Sequence, residues 1–435
     1  MRTDERALIA HLLRRAGFGP TSQQLDRFSA LGYAGAVQTL IDGAPDPTLD
    51  ALAPPPLTIV ATGEVETQEE RKARARARRE QRLALGQWWL ERMTVAENPL
   101  VEKMTFFWHG LFATSIDKVN EASFMLSQNE IFRRNALGRF EPLAQEVAKD
   151  PAMMIWLDSN QNRKGSPNEN FARELMELFT IGIGSYTDND VQEAARAFTG
   201  WRSNRRTGVY SFNSGQADRN PKTLLGQTVT TGEEVIRLLA NHPAAAKFIT
   251  AKLWFKFAAP TTVDSPVVAD LSAVFANSGG DIKAVMKALF LHPEFQSAAV
   301  RRGLVKQPVE YIVGALRASE LRPRDVEITG PNLNNSLSDL NQIPFDPPSV
   351  GGWPGNGYWL STATAMARLH FANGLANTAK LGWLGSVPTA SRPDALATRL
   401  GVDEWTNSTR SGLLKATSIR QQFALALVSP EFVLN

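Results

Sequence analysis

Apolar residues recur at three- and four-residue spacing along most of this chain, the period of an amphipathic helix. In residues 4–15, Leu8, Ile9, Leu12 and Leu13 make one such stripe, and Gly17-Phe18-Gly19-Pro20 stops it. The same period predicts a long helix over 69–95, a helix opened by Asn98-Pro99, and helices over 123–147, 151–157, 169–179 and 191–198. Further helical stretches follow over 232–239, 243–257, 265–277, 281–291, 308–321, 362–376 and 418–427. Two segments break the pattern. Residues 42–68 are rich in Pro, Ala and Thr and read as a loop or linker. Residues 202–231 alternate, with a strand at 208–212 and a turn at Asn213-Ser214-Gly215, which predicts an inserted β hairpin. The expected fold class is mainly α: a large multi-helix single domain, 1–435, with a small β hairpin.

Composition sharpens this picture only a little. Of 435 residues, 43% are hydrophobic, enough to fill a sizeable core. The 47 basic and 44 acidic side chains nearly balance, so charge alone does not call for a nucleic-acid partner. A basic run from Arg71 to Arg82 offers a polyanion contact, but no aromatic residues are interleaved there, which favours a solvated helix face. Cysteine is absent, excluding disulfides, thiolate metal sites and cysteine nucleophiles. The start lacks the apolar stretch of a signal peptide and no apolar run is long enough to span a bilayer, so a cytoplasmic protein is expected.

Candidate chemistry concentrates between Leu157 and Thr180, where a loop dense in amides and carboxylates feeds a charged helix. Asp158, Asn160, Asn162 and Glu169 occupy positions 1, 3, 5 and 12 of a twelve-residue loop, the oxygen-ligand spacing of an EF-hand, so calcium is the candidate cofactor. Arg163 stands where such a loop needs glycine. The competing reading is an amide-bonded loop that caps the helix. On a helical wheel Glu169, Asn170, Arg173, Glu174 and Glu177 share one arc. Glu174, at its apolar edge, is expected to be partly buried with a raised pKa, and Glu177 beside Arg173 to stay ionised. Two carboxylates in unlike environments suit acid/base work. His109 sits among aromatic residues as a candidate base or ligand, or as a core histidine bonded to a carbonyl. Asn168, Asn170 and the rings of Trp353, Tyr358 and Trp359, in the glycine-rich 351–359 loop, are candidate substrate contacts.

His11–Pro20, Phe107-Trp108-His109, 162–180, 194–201, 222–226 and Gly352-Trp353-Pro354-Gly355 together resemble the bacterial family catalogued as domain of unknown function 1800. The resemblance covers almost the whole chain. It implies a predominantly helical fold, relatives that are often exported, and a sulfatase-like neighbour as a candidate protein partner. Relatives often carry histidine where this chain has Leu111, Phe179 and Ala217. Two functional classes are therefore expected: a hydrolase-like enzyme on a polymeric or glycan substrate, or a non-catalytic scaffold acting with a partner.

Overall fold

The structure, a computed structural model, describes residues 3–43, 46–60 and 67–435. It is predominantly helical, with strands only in two small antiparallel pairs among the described residues. The hydrophobic interior gathers into two clusters. One is built largely from 9–41 and 132–300, the other largely from 85–93 and 305–433.

The helix Leu100–Leu111 runs between them and is buried at almost every position. It gives Leu100, Met104, Phe107, Trp108 and Leu111 to the first cluster and Phe106 to the second. Each apolar side chain so buried stabilises by roughly 1.5–3 kcal/mol. Its polar residues are paired rather than exposed. Glu102, fully buried, meets Arg92 at 2.9 Å and Arg133 at 2.8 Å, and its other oxygen accepts the Trp89 indole N–H at 3.0 Å. Lys103 Nζ reaches Glu310 at 2.7 Å and the Gly17 carbonyl at 2.9 Å. Such pairs add little net stability, but losing one partner costs about 3–5 kcal/mol. Glu310 lies on the helix Pro308–Ser319, where every residue is buried.

The expected helix start at Asn98 differs in its cap. Pro99 is the N-cap, and the Asn98 amide donates to the Thr39 and Leu40 carbonyls instead. Most other helical spans match the periodicity, including Gln68–Val95. His242 and His292 each accept a backbone N–H two residues on, at 3.2 Å, as local caps.

The 42–68 segment is less of a linker than its composition predicts. Asp46 caps a short helix, Pro47–Asp50, and Leu57 and Ile59 pack on the second cluster. Residues 44–45 and 61–66 of this segment lie outside the described residues. The inserted hairpin is two hairpins: Trp201–Ser203 pairs with Tyr210–Phe212, and Lys222–Leu224 with Gln227–Val229. The expected turn at 213–215 follows the first pair as a short 3-10 turn, because the strand starts earlier, at Trp201. Among the described residues no helix is long and apolar enough to cross a membrane.

Candidate functional site

The Asn-rich loop turns its side chains into the protein. Asp158, in the left-handed region at φ 55°, pairs with Lys118 at 2.8 Å. Asn160 grips the strand at Ser203 from both ends of its amide, donating at 3.0 Å and accepting at 2.7 Å. Asn162 is buried; it donates to the Ala195 carbonyl at 2.8 Å and accepts the Asn168 N–H at 3.0 Å. Asn168 in turn accepts the Asn170 N–H at 2.9 Å and so leads into the helix. Glu169 pairs with Arg173 at 3.0 Å. The oxygens at the EF-hand positions thus have protein partners in different directions. A calcium ion there would have to displace Lys118 and the amide bonds. No group of three or more His, Asp or Glu side chains is gathered for a metal among the described residues.

The helix after the loop is not α-helical throughout. Asn170–Glu174 is α and Leu175–Thr180 is a π turn, in which the Thr180 hydroxyl donates to the Leu175 carbonyl at 2.5 Å. Glu174 and Glu177 are half-buried at this junction. Burial raises the Glu174 pKa, and the Glu177 charge raises it further against the pull of Arg173. Glu177 accepts the Tyr186 hydroxyl at 2.8 Å. Burial and this carboxylate raise the Tyr186 pKa to about 12. Arg173 binds Glu169 and, at 3.2 Å, Asp188, and those bonds hold its charge.

His109 lies elsewhere. It is 1% exposed, boxed by Trp89, Phe132, Phe345 and Trp353, and its Nε2 accepts the Phe345 N–H at 3.1 Å. Burial alone lowers its pKa to about 3; no carboxylate contributes. The glycine-rich loop does meet this helix. Gly352, at φ 76°, lies so close to Gly110 that an added Cβ would overlap the Gly110 carbonyl oxygen. That approach sets Trp353 beside His109 on one side and over an open cleft on the other. Of the other two rings, Trp359 is fully buried in the second cluster and Tyr358 is exposed, packed edge-on against it.

The cleft under Trp353 joins the 351–355 loop to four other parts of the chain. Phe106, Phe107, Gly110 and Leu111 come from the central helix, and Leu178 from the π turn. Lys252, Phe255 and Lys256 come from the helix Pro243–Phe257, and Gln307 precedes the helix Pro308–Ser319. Its volume is about 140 Å³. A cavity of about 150 Å³ takes one benzene ring, so a single six-membered ring fits here. Lys256 Nζ lies 4.6 Å over the Phe106 ring and 2.7 Å from Glu310 Oε1, the oxygen that also holds Lys103. Against the burial that would raise it, Lys103 and Lys256 hold the Glu310 carboxyl well below its usual range.

The sequence reading missed Lys252, Lys256, Gln307 and Tyr186. A signal for the lysines was present: they sit four residues apart in the otherwise apolar run Ile249–Phe257, where a cation must either reach water or find a carboxylate. Leu111 and Phe179, where relatives often carry histidine, are buried apolar packing, with Phe179 against Phe112 at 5.3 Å.

A family model described as Protein of unknown function (DUF1800) matches residues 11–434. No curated protein and no solved structure matches the chain. The match spans nearly all of the sequence, and the chain belongs to this family.

Proposed function

We propose that this DUF1800 chain is a hydrolase-like enzyme acting on a polymeric or glycan substrate, with Glu174 and Glu177 as its acid/base pair and the Trp353 cleft as the seat for one ring. One observation supports the reading: two neighbouring carboxylates in unlike surroundings flank the start of a π turn, Glu174 just before it and Glu177 within it, and Leu178 of that turn forms part of the cleft wall. Glu174, its pKa raised by burial and by Glu177, is suited to give a proton to a leaving oxygen. Glu177, steadied by Tyr186, is suited to take one from water. The open cleft admits one ring and leaves the rest of a chain outside.

The test is release of new chain ends from a panel of polysaccharides by the full chain and by Glu174→Gln. A lost proton donor should lower the rate by about 10²–10⁴-fold. Equal rates in the two proteins, or no release from any polymer, would remove the proposal. A second reading, a scaffold acting with a partner protein, is favoured by the exposed apolar side chains of Tyr358, Leu360 and Met366, which are 65%, 55% and 47% exposed. It predicts that Glu174→Gln leaves function intact while Leu360→Asp removes it.

A further inference from the structure

We propose that the ring seated in the Trp353 cleft carries a negative charge: a six-membered ring with a carboxylate, sulfate or phosphate substituent, held by Lys252 and Lys256. This rests on the cleft being the substrate seat. It adds the chemical class of that substrate, which the acid/base pair does not determine.

The charge balance of the walls points this way. Two ammonium groups and one amide line the cleft, and none of its lining residues is acidic. Glu310 stands behind Lys256, and its charge is already divided. One oxygen takes both Lys103 and Lys256 at 2.7 Å, and the other accepts the Gln307 N–H at 3.0 Å. One carboxylate thus faces two ammonium groups, and Lys252 adds a third cation. Among the described residues no carboxylate pairs with Lys252; the side chain is exposed, and its ammonium rests 5.3 Å over the Phe248 ring. A solvent-facing cation at the cleft wall without a paired carboxylate is free to meet an anion brought into the same cleft.

Of the two lysines, Lys256 is held in place and Lys252 is free at the solvent edge. Lys256 is tied to Glu310, and Glu310 lies on a helix buried along its length. Lys252 sits one turn earlier on the same helix face. Phe255 and Trp353 supply apolar surface for the ring itself, and Gly355 packs against the Phe255 ring with no room for a Cβ. The anion and the ring are therefore recognised by different groups, which makes their contributions separable.

The experiment is a titration of the full chain, followed by the Trp353 indole N–H signal, assigned with Trp353→Phe. The probes are methyl glucoside, methyl glucuronide, glucose 6-sulfate and glucose 6-phosphate. At least one charged ring should bind about tenfold or more tightly than the neutral one, with the advantage falling as salt rises. The three charged probes distinguish carboxylate, sulfate and phosphate. Lys252→Gln should erase the charged ring's advantage over methyl glucoside. Equal binding of charged and neutral rings, or an unaltered preference in Lys252→Gln, overturns the inference and leaves the cleft as a ring site. A charged ring that binds without any polymer being cleaved overturns the hydrolase reading and leaves the inference standing. Failure of every probe to move the Trp353 signal removes both.

Discussion

His109 sits one turn after Thr105 on the central helix, and its chemistry is set by what surrounds it. The ring is held neutral, since burial lowers its pKa from the ordinary 6.5 to about 3, while its Nε2 accepts the Phe345 N–H. Between these values the unfolded chain binds a proton that the folded chain refuses. The stabilisation is therefore complete above pH 6.5 and is lost as the pH falls towards 3. At about 1.4 kcal/mol per pH unit the loss from this residue is on the order of 5 kcal/mol. Urea denaturation from pH 7 to pH 4 should show a steep decline in the wild type and a shallower one in His109→Gln. His11, whose pKa burial also lowers, would keep the variant's decline from vanishing. Parallel declines would mean that His109 titrates normally. The sequence placed this histidine correctly among aromatic rings. It could not choose between base and core histidine, because that choice depends on Phe345, more than two hundred residues away. The Asn-rich loop shows the same gap. Its ligand-like spacing was visible, but the bonds of Asn160 and Asn162 run to Ser203 and Ala195, which no local pattern specifies.

At the scale of elements, the most consequential departure is the π turn Leu175–Thr180. A wheel drawn at 100° per residue put Glu174 and Glu177 on one arc of an ordinary helix. The wider turn instead gathers Glu177 towards Tyr186 and brings Leu178 to the cleft. The expectation for Glu174 agrees with the structure: it is half-buried with a raised pKa. Because the Glu177 charge contributes to that rise, Glu177→Gln should lower the Glu174 pKa. Carbon-detected titration of the Glu174 carboxyl measures this directly, and an unchanged pKa would show that burial acts alone. Caps are legible where turn chemistry is local, as at Thr187 and Asp190, whose three-residue spacing forms a capping box. They were not legible where a neighbour competes, as at Asn98, whose amide is drawn away to the Thr39–Leu40 carbonyls.

For the whole molecule, helical periodicity was enough to predict a mainly α fold, because apolar stripes report burial without saying against what. The same stripes could not reveal that the interior is divided into two clusters, or that a cleft opens where the central helix, the π turn and the Trp353 loop converge. Lys256 escaped notice for that reason: its meaning depends on Glu310, on another helix.

The helix Leu100–Leu111 has a consequence for how the molecule comes apart. Adjacent residues, Phe106 and Phe107, are anchored in different clusters, so neither cluster can lose its structure and leave this helix intact for the other. Two interiors joined by a shared, largely buried segment should melt as one. Calorimetry is expected to give a single endotherm whose van't Hoff and calorimetric enthalpies agree. Phe106→Ala and Phe107→Ala, which damage opposite sides, should each lower that one transition rather than split it. Two resolved endotherms would mean that the halves unfold independently and that the central helix is only a tether.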